Sequence, residues 1–247
     1  PLLAGGRVVF RVARTKTEST EEWRLWIDGE ALDAEDWMGE AAIAPDGSQV
    51  AFWVLPGARV GNAAPAVASD HFLSVAVEQR RGKWSVRRGE DWKAAGIPAP
   101  VFTADGKRVF TTAWVGKGWA VLAGGRGEKE ATEPYRGIES FAVSENGKAL
   151  AVLATAGESP TTRDSRSLPD AGLYFKGKRV GESYTHVALP TVDARGRRVA
   201  YVAMRDGREA PVIGDEEDVA WRYDHVRALT FDPSGDRLAF VANTGGT

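Results

Sequence analysis

Val226-Arg-Ala-Leu-Thr-Phe-Asp-Pro-Ser-Gly-Asp-Arg-Leu-Ala-Phe-Val-Ala-Asn243 reads as a short strand, a turn on Asp-Pro-Ser-Gly, and a second strand with apolar residues at alternate positions. Nearly the same phrase occurs upstream. Ile43-Ala-Pro-Asp-Gly-Ser-Gln-Val-Ala-Phe52, Pro100-Val-Phe-Thr-Ala-Asp-Gly-Lys-Arg-Val-Phe110, Phe141-Ala-Val-Ser-Glu-Asn-Gly-Lys-Ala-Leu-Ala-Val152 and Thr191-Val-Asp-Ala-Arg-Gly-Arg-Arg-Val-Ala-Tyr201 are the copies. Taking the turn glycine as the mark gives Gly5, Gly47, Gly106, Gly147, Gly196 and Gly235, spaced 42, 59, 41, 49 and 39 residues apart by subtraction. A period near forty with several short strands per unit is the pattern of propeller blades, and no helical period competes with it. A glycine holds the mark because a tight hairpin needs positive φ there.

Each unit continues into a third strand led by an aromatic or apolar residue and closed by glycine: Trp23 to Gly29, Trp84 to Gly89, Trp119 to Gly124, Leu173 to Gly177 and Pro211 to Gly214. Arg205-Asp-Gly207 and Gly116-Lys-Gly118 are suited to short turns before that strand. A fourth element ends with an aromatic two places before glycine or histidine, as in Trp37-Met-Gly39, Tyr135-Arg-Gly137, Tyr184-Thr-His186 and Tyr223-Asp-His225. Three stretches break the period. Residues 14–22 and 155–172 are expected to be polar connections between second and third strands. Residues 56–71 stretch one interval to 59 and are read as an insertion or a reduced blade. Trp23, Trp84 and Trp119 share one repeat position and suit the wedge between sheets, whereas Trp26, Trp53 and Trp114 fall off that register and suit a surface contact.

The chain has 247 residues, 43% hydrophobic and 9% aromatic, with a net charge of −2, which supplies no general pull toward nucleic acid or an anionic membrane. Basic runs at Arg80, Arg81, Lys83, Arg87 and Arg88 and at Arg195, Arg197 and Arg198, and the acidic run Asp215-Glu-Glu-Asp218, are expected at solvated strand edges. Zero cysteines exclude disulfides, thiolate metal sites and cysteine nucleophiles. No apolar run reaches the length of a membrane helix and no signal peptide is legible. Pro1 is not a translation start, so the sequence is expected to be a segment or a processed product.

The Pro/Ala-x-Asp-Gly-Lys/Arg phrase followed by an aromatic-led strand resembles the WD-repeat-like β-propellers of the TolB type over essentially the whole chain. The resemblance implies a non-catalytic, protein-binding propeller, usually of bacterial envelope or secreted proteins, with no catalytic residues to carry over. The fold expected is all-β: a single propeller domain over residues 1–247, six-bladed with incomplete first and last blades, five and seven being the other counts considered. The last repeat supplies only two strands, so an unpaired edge there suits completion by another chain.

Chemistry-bearing residues are sparse. His186 and His225 hold the same place in successive repeats, at the start of the first strand and hence at one mouth of a propeller channel, with Asp224 beside the second. Two imidazoles and a carboxylate could meet a ligand or partner, but a metal site needs three converging donors and only two histidines align. Asp193 and Asp232 share the position that caps a turn. No Gly-x-Ser-x-Gly elbow, phosphate loop or His-Glu-x-x-His helix is present, so no cofactor, metal or catalytic residue is assigned. Three functions are expected in order: a protein-interaction or ligand-binding scaffold using His186, His225 and Asp224; a structural subunit that self-associates through open blade edges; and a hydrolase or lyase at the channel mouth. A protein partner is expected, with neither nucleic acid nor membrane insertion.

Overall fold

The computed structural model describes residues 2–17, 20–31, 38–54, 72–80, 83–92, 98–115, 118–124, 129–157, 171–181, 184, 186–215 and 220–245. All regular structure among them is β, arranged as six antiparallel sheets. Sheet one joins β1 (Leu2–Ala4), β2 (Arg7–Thr17), β3 (Thr20–Ile27) and β4 (Glu30–Ala31). Sheet two joins β5 (Met38–Ile43), β6 (Gln49–Val54), β7 (Phe72–Arg80) and β8 (Lys83–Trp92). Sheet three joins β9 (Val101–Phe102), β10 (Val109–Trp114), β11 (Trp119–Gly124) and β12 (Lys129–Glu130). Sheet four joins β13 (Gly137–Val143), β14 (Leu150–Thr155), β15 (Gly172–Phe175) and β16 (Lys178–Val180). Sheet five joins β17 (His186–Val192), β18 (Val199–Arg205) and β19 (Arg208–Ile213), and sheet six joins only β20 (His225–Phe231) and β21 (Leu238–Asn243). The described residues fall into two compact units, one ending at Ala131 with sheets one to three, the other starting at Thr132 with sheets four to six.

One turn recurs between the first and second strands. Counting from the last residue before the turn, the N–H of position four donates to the carbonyl of position one: Gly47 to Ala44, Gly106 to Thr103, Gly147 to Ser144, Gly196 to Asp193 and Gly235 to Asp232, all at 2.8–2.9 Å. The glycine at position four has φ between 66° and 79° in each, a region that side chains with a Cβ resist. Two-residue hairpins follow the same logic at Asp28-Gly29, Lys176-Gly177 and Asp206-Gly207, where both residues have positive φ. First strands β5, β13, β17 and β20 each carry one extra residue against their partner, a bulge in the same part of each repeat.

Sheets pack through the second strands in a fixed register. Positions three and five after the turn glycine look backward and positions four and six look forward. In the first unit Val9 at position four of sheet one clusters with Val50 and Phe52 at positions three and five of sheet two, together with Leu25 and Ile27. In the second unit Ala151 and Leu153 of sheet four cluster with Val199 and Tyr201 of sheet five in the same way. These side chains are buried, and each contributes about 1.5–3 kcal/mol for the larger ones. Tyr201 adds a hydrogen bond from its hydroxyl to the Gly214 carbonyl at 2.9 Å, so its polar end is satisfied inside the core.

Three sequence expectations are corrected. Residues 14–22 are not a connection: β2 and β3 pair through Arg14 with Glu22, Thr15 with Glu21 and Thr17 with Thr20. Threonine suits a pleated strand as well as a loop, which is why polarity misled there. Phe72–Arg80 is the third strand of sheet two, and the stretch from Trp84 read as third is its fourth. Sheet two is therefore one four-stranded unit, and the long interval lies between β6 and β7, at residues outside those described. Arg197 and Arg198 do not merely solvate an edge. Arg197 Nη2 donates to the Ser234 carbonyl at 3.1 Å and Arg198 Nη1 to the Gly235 carbonyl at 3.0 Å, tying sheet five to the turn of sheet six. Of the off-register tryptophans, Trp26 stacks on Phe10 with ring centroids 6.1 Å apart, while Trp53 and Trp114 lie opposite Ser74 and Trp119 in their ladders.

Candidate functional site

His186 and His225 are the first residues of β17 and β20, neighbouring strands of the second unit, and both side chains are exposed. Their equivalence by repeat position is real, but no hydrogen bond or ion pair joins them. His186 stands opposite Met204 in the ladder with β18. His225 Nδ1 lies 3.6 Å from Glu209 Oε1, and the other oxygen of Glu209 accepts the N–H of Val226 at 2.6 Å. Glu209 also forms a two-way backbone bridge with Tyr223. One residue on the last strand of sheet five therefore fixes the start of sheet six.

Asp224 is similarly committed. It pairs with Arg208 and accepts the N–H of Gly245 at 2.5 Å, while its own N–H donates to the Asn243 carbonyl at 2.9 Å. Arg208 and Glu209 follow directly on the Asp206-Gly207 hairpin, which turns them toward Asp224 and His225. Neither was singled out from sequence, because charge on a short strand after a turn looks like any solvated edge. The signal available was the pairing of opposite signs: Arg208-Glu209 against Asp224-His225.

The carboxylates of the repeat are structural acceptors. Asp193, wholly buried, takes the N–H groups of Arg197 and Arg198 at 2.5 and 2.6 Å. Burial pushes its carboxyl up, yet those N–H groups, that of Arg195 and the charge of Arg197 outweigh burial and hold it below the ordinary range. Asp232 is held low chiefly by the N–H of Arg237, with Ser234 and Asp236 adding to it. The expectation that both cap their turns is met. Among the described residues no three His, Asp or Glu side chains are grouped to hold a metal ion.

In the second unit the aromatic before each first strand packs on its own sheet. Tyr135 lies 5.0 Å from Tyr174, Tyr184 lies 6.1 Å from Tyr201, and Tyr223 lies 5.5 Å from Phe240. Tyr135 is so far removed from water, with Tyr174 and Glu133 nearby, that its hydroxyl is pushed up to about 12. In sheet five Arg205 sits over both Tyr184 and Trp221, at 5.5 and 5.0 Å, while the two rings lie 5.4 Å from each other.

Strain marks two equivalent positions. Leu189 in β17 and Ala228 in β20, each three residues after the histidine, have φ of 49° and 53°, which costs a residue with a Cβ about 1–2 kcal/mol. Leu189 is 48% exposed. Arg227, next to Ala228, is exposed as well. The first strands of the second unit thus present His186, Leu189, His225 and Arg227 to solvent.

No protein-family model and no characterised protein sequence matches the chain. Solved structures do. TolB from Acinetobacter baumannii superposes with a TM-score of 0.51 at 17% identity, over 97% of this chain and 58% of that one. A puromycin hydrolase superposes at 0.56 and 15% identity over 96% of this chain and 40% of its own. The propeller domain of the Trilobed protease from Pyrococcus furiosus, described as having an open velcro topology, superposes at 0.56 and 10% identity over 97% of this chain and 72% of its own. This chain therefore spans little more than half of that TolB and well under half of the hydrolase. Identities this low carry the fold and not the activity. The all-β sheets, the turn repeat and these superpositions together make this chain a β-propeller, similar in fold to TolB and to the Trilobed protease propeller.

Proposed function

We propose that this propeller is a non-catalytic scaffold that binds another protein through the first-strand surface of its second unit. The observation that carries the reading is Leu189: an apolar side chain kept open to solvent, on a backbone conformation that costs energy to hold, in the strand that begins at the exposed His186. Strain retained at an exposed position is a mark of functional sites, and the same two strands also expose His186, His225 and Arg227. The carboxylates that would be needed for acid or base chemistry support the same reading, since Asp193, Asp224 and Asp232 are engaged by backbone N–H groups.

The test places a photoreactive residue at Leu189 and, as control, at exposed Lys178 on β16. One protein is expected to be captured from extract of the source cells at position 189 alone, with yield falling about tenfold when Arg227→Glu is added. Hydrolysis of aminoacyl-p-nitroanilides by the purified chain, abolished in His225→Ala, would instead make it a peptidase and overturn the scaffold reading.

A further inference from the structure

Asn146-Gly147 is the only asparagine-glycine pair in the chain; the other asparagines, Asn62 and Asn243, precede Ala63 and Thr244. A glycine after asparagine leaves its main-chain nitrogen unhindered, because no Cβ crowds its approach to the side-chain carbonyl carbon. The pair holds positions three and four of the turn of sheet four, where the turns of sheets two and three have Asp46-Gly47 and Asp105-Gly106. In all three the Oδ1 atom at position three accepts the N–H of position five: from Ser48 at 2.9 Å, Lys107 at 3.1 Å and Lys148 at 2.9 Å. Aspartate fills that role as well as asparagine does, so the cap alone does not call for an amide.

What the amide adds is a donor. The Lys148 N–H can only donate, so Oδ1 is the atom that faces it and Nδ2 points away. Nδ2 donates to the Arg195 carbonyl at 3.3 Å, in the turn of sheet five. Both turns belong to the second unit and are in direct contact, since a Cβ at Gly196 would stand 2.6 Å from Ala149 Cβ. The other polar atoms are engaged as well: the Ser144 hydroxyl donates to Asn146 Oδ1 at 2.9 Å, and the Gly147 N–H donates to the Ser144 carbonyl at 2.8 Å. For the Gly147 nitrogen to attack Asn146 Cγ, it must leave that carbonyl, and the amide must leave Lys148 and Arg195.

We propose that Asn146-Gly147 is a self-modification site gated by the contact between the turns of sheets four and five. When the turn of sheet four opens, the Gly147 nitrogen gives its proton to a solvent base and bonds to Asn146 Cγ. The Cγ–Nδ2 bond breaks, and the amide leaves as ammonia with a proton taken from water. The cyclic succinimide that remains is opened by water. Breaking its bond between the Gly147 nitrogen and Cγ gives aspartate; breaking the bond between that nitrogen and the main-chain carbonyl carbon gives isoaspartate, with the chain now running through Cγ. Aspartate keeps the cap seen at Asp105 but sets an oxygen against the Arg195 carbonyl, and isoaspartate lengthens the turn by a methylene. Either product ends the hydrogen bond from residue 146 to Arg195. The residues involved are distinct from the Leu189 surface, so this inference and the scaffold reading stand or fall separately.

The full chain is incubated at mildly alkaline pH, native and, in parallel, unfolded in urea, and the tryptic peptide Gly137–Lys148 is followed by mass spectrometry, with electron-transfer fragmentation to tell isoaspartate from aspartate. The mass gain of an amide NH2 replaced by OH should appear at least about tenfold faster in the unfolded chain than in the native one, with isoaspartate among the products. Ser144→Ala removes one donor to Asn146 Oδ1 and the side-chain acceptor of the Ala149 N–H. It should speed conversion in the native state about tenfold and leave the rate in urea unchanged. If Ser144→Ala loses its native near-ultraviolet dichroism, the wild-type chain in urea below its unfolding transition replaces it, and its rate should climb with urea. Conversion as fast in the native chain as in the unfolded one, no conversion in either, or a native rate indifferent to the turn-loosening change would each overturn the proposal.

Discussion

The same turn is built in two ways. In the turns of sheets five and six the carboxylate stands at position one, and a single side chain caps both following N–H groups: Asp193 takes those of Arg197 and Arg198, and Asp232 those of Asp236 and Arg237. In sheets three and four the labour is divided. Asp105 and Asn146 at position three accept the N–H of position five, from Lys107 and Lys148, while the hydroxyls of Thr103 and Ser144 at position one accept the N–H of position six, from Arg108 and Ala149. Each hydroxyl then donates to its neighbour, Thr103 to Asp105 at 2.6 Å and Ser144 to Asn146 at 2.9 Å. In these four turns the backbone asks for the same two acceptors, and the sequence supplies them as one aspartate or as a hydroxyl plus an Asp or Asn.

The next turn comes close whichever way the cap is built. A Cβ at Gly235 would stand 2.8 Å from Asp193 Oδ2, and one at Gly196 would stand 2.6 Å from Ala149 Cβ and 3.1 Å from Ser144 Oγ. A buried carboxylate at position one is therefore sealed by the following glycine, and Asp193 Oδ2 has no hydrogen-bond partner, only the Arg197 guanidinium at 3.7 Å.

The comparison can be broken hardest at Asp193. Asp193→Ala strands two backbone N–H groups inside the protein and should cost about 3 kcal/mol, read as a lowered urea midpoint at unchanged slope. Acid comes next. Asp28, Asp46, Asp105, Asp193 and Asp232 all stand below the ordinary value of 3.8. As pH falls the unfolded chain takes up protons first, so the stability these groups add is complete above the ordinary value and lost below it. Urea midpoints between about pH 5 and about pH 2 should fall steadily, and less steeply in Asp193→Asn. The smallest effect sharpens the comparison. Asp105→Ala should lower the thermal midpoint by less than Asp193→Ala does, and adding Thr103→Asp should return it to the wild-type value by converting the split cap into the single one.

Much of this was legible from residues alone. The turn glycines, the Asp206-Gly207 hairpin and the capping role of Asp193 and Asp232 follow from local stereochemistry, since a backbone needing positive φ or two acceptors admits few side chains. The third and fourth strands of sheet two were harder, because Phe72–Arg80 and Lys83–Trp92 both carry strand-forming residues and only their partners tell them apart. The site was legible as positions and not as contacts. His186, His225 and Asp224 were found by repeat spacing, but Glu209 beside His225 and Arg208 beside Asp224 lie in the preceding sheet.

Sequence by itself determined the unit: a strand, a glycine turn with its caps, and a second strand whose alternate residues point opposite ways. Those properties depend on interactions within about six residues, which the order of side chains specifies directly. Only the tertiary structure decided which faces are covered. Val50 and Val8 occupy one repeat position with the same side chain, yet one is wholly buried and the other 40% exposed, because burial depends on whether another sheet lies on top, and that is a property of the assembled sheets rather than of the residue.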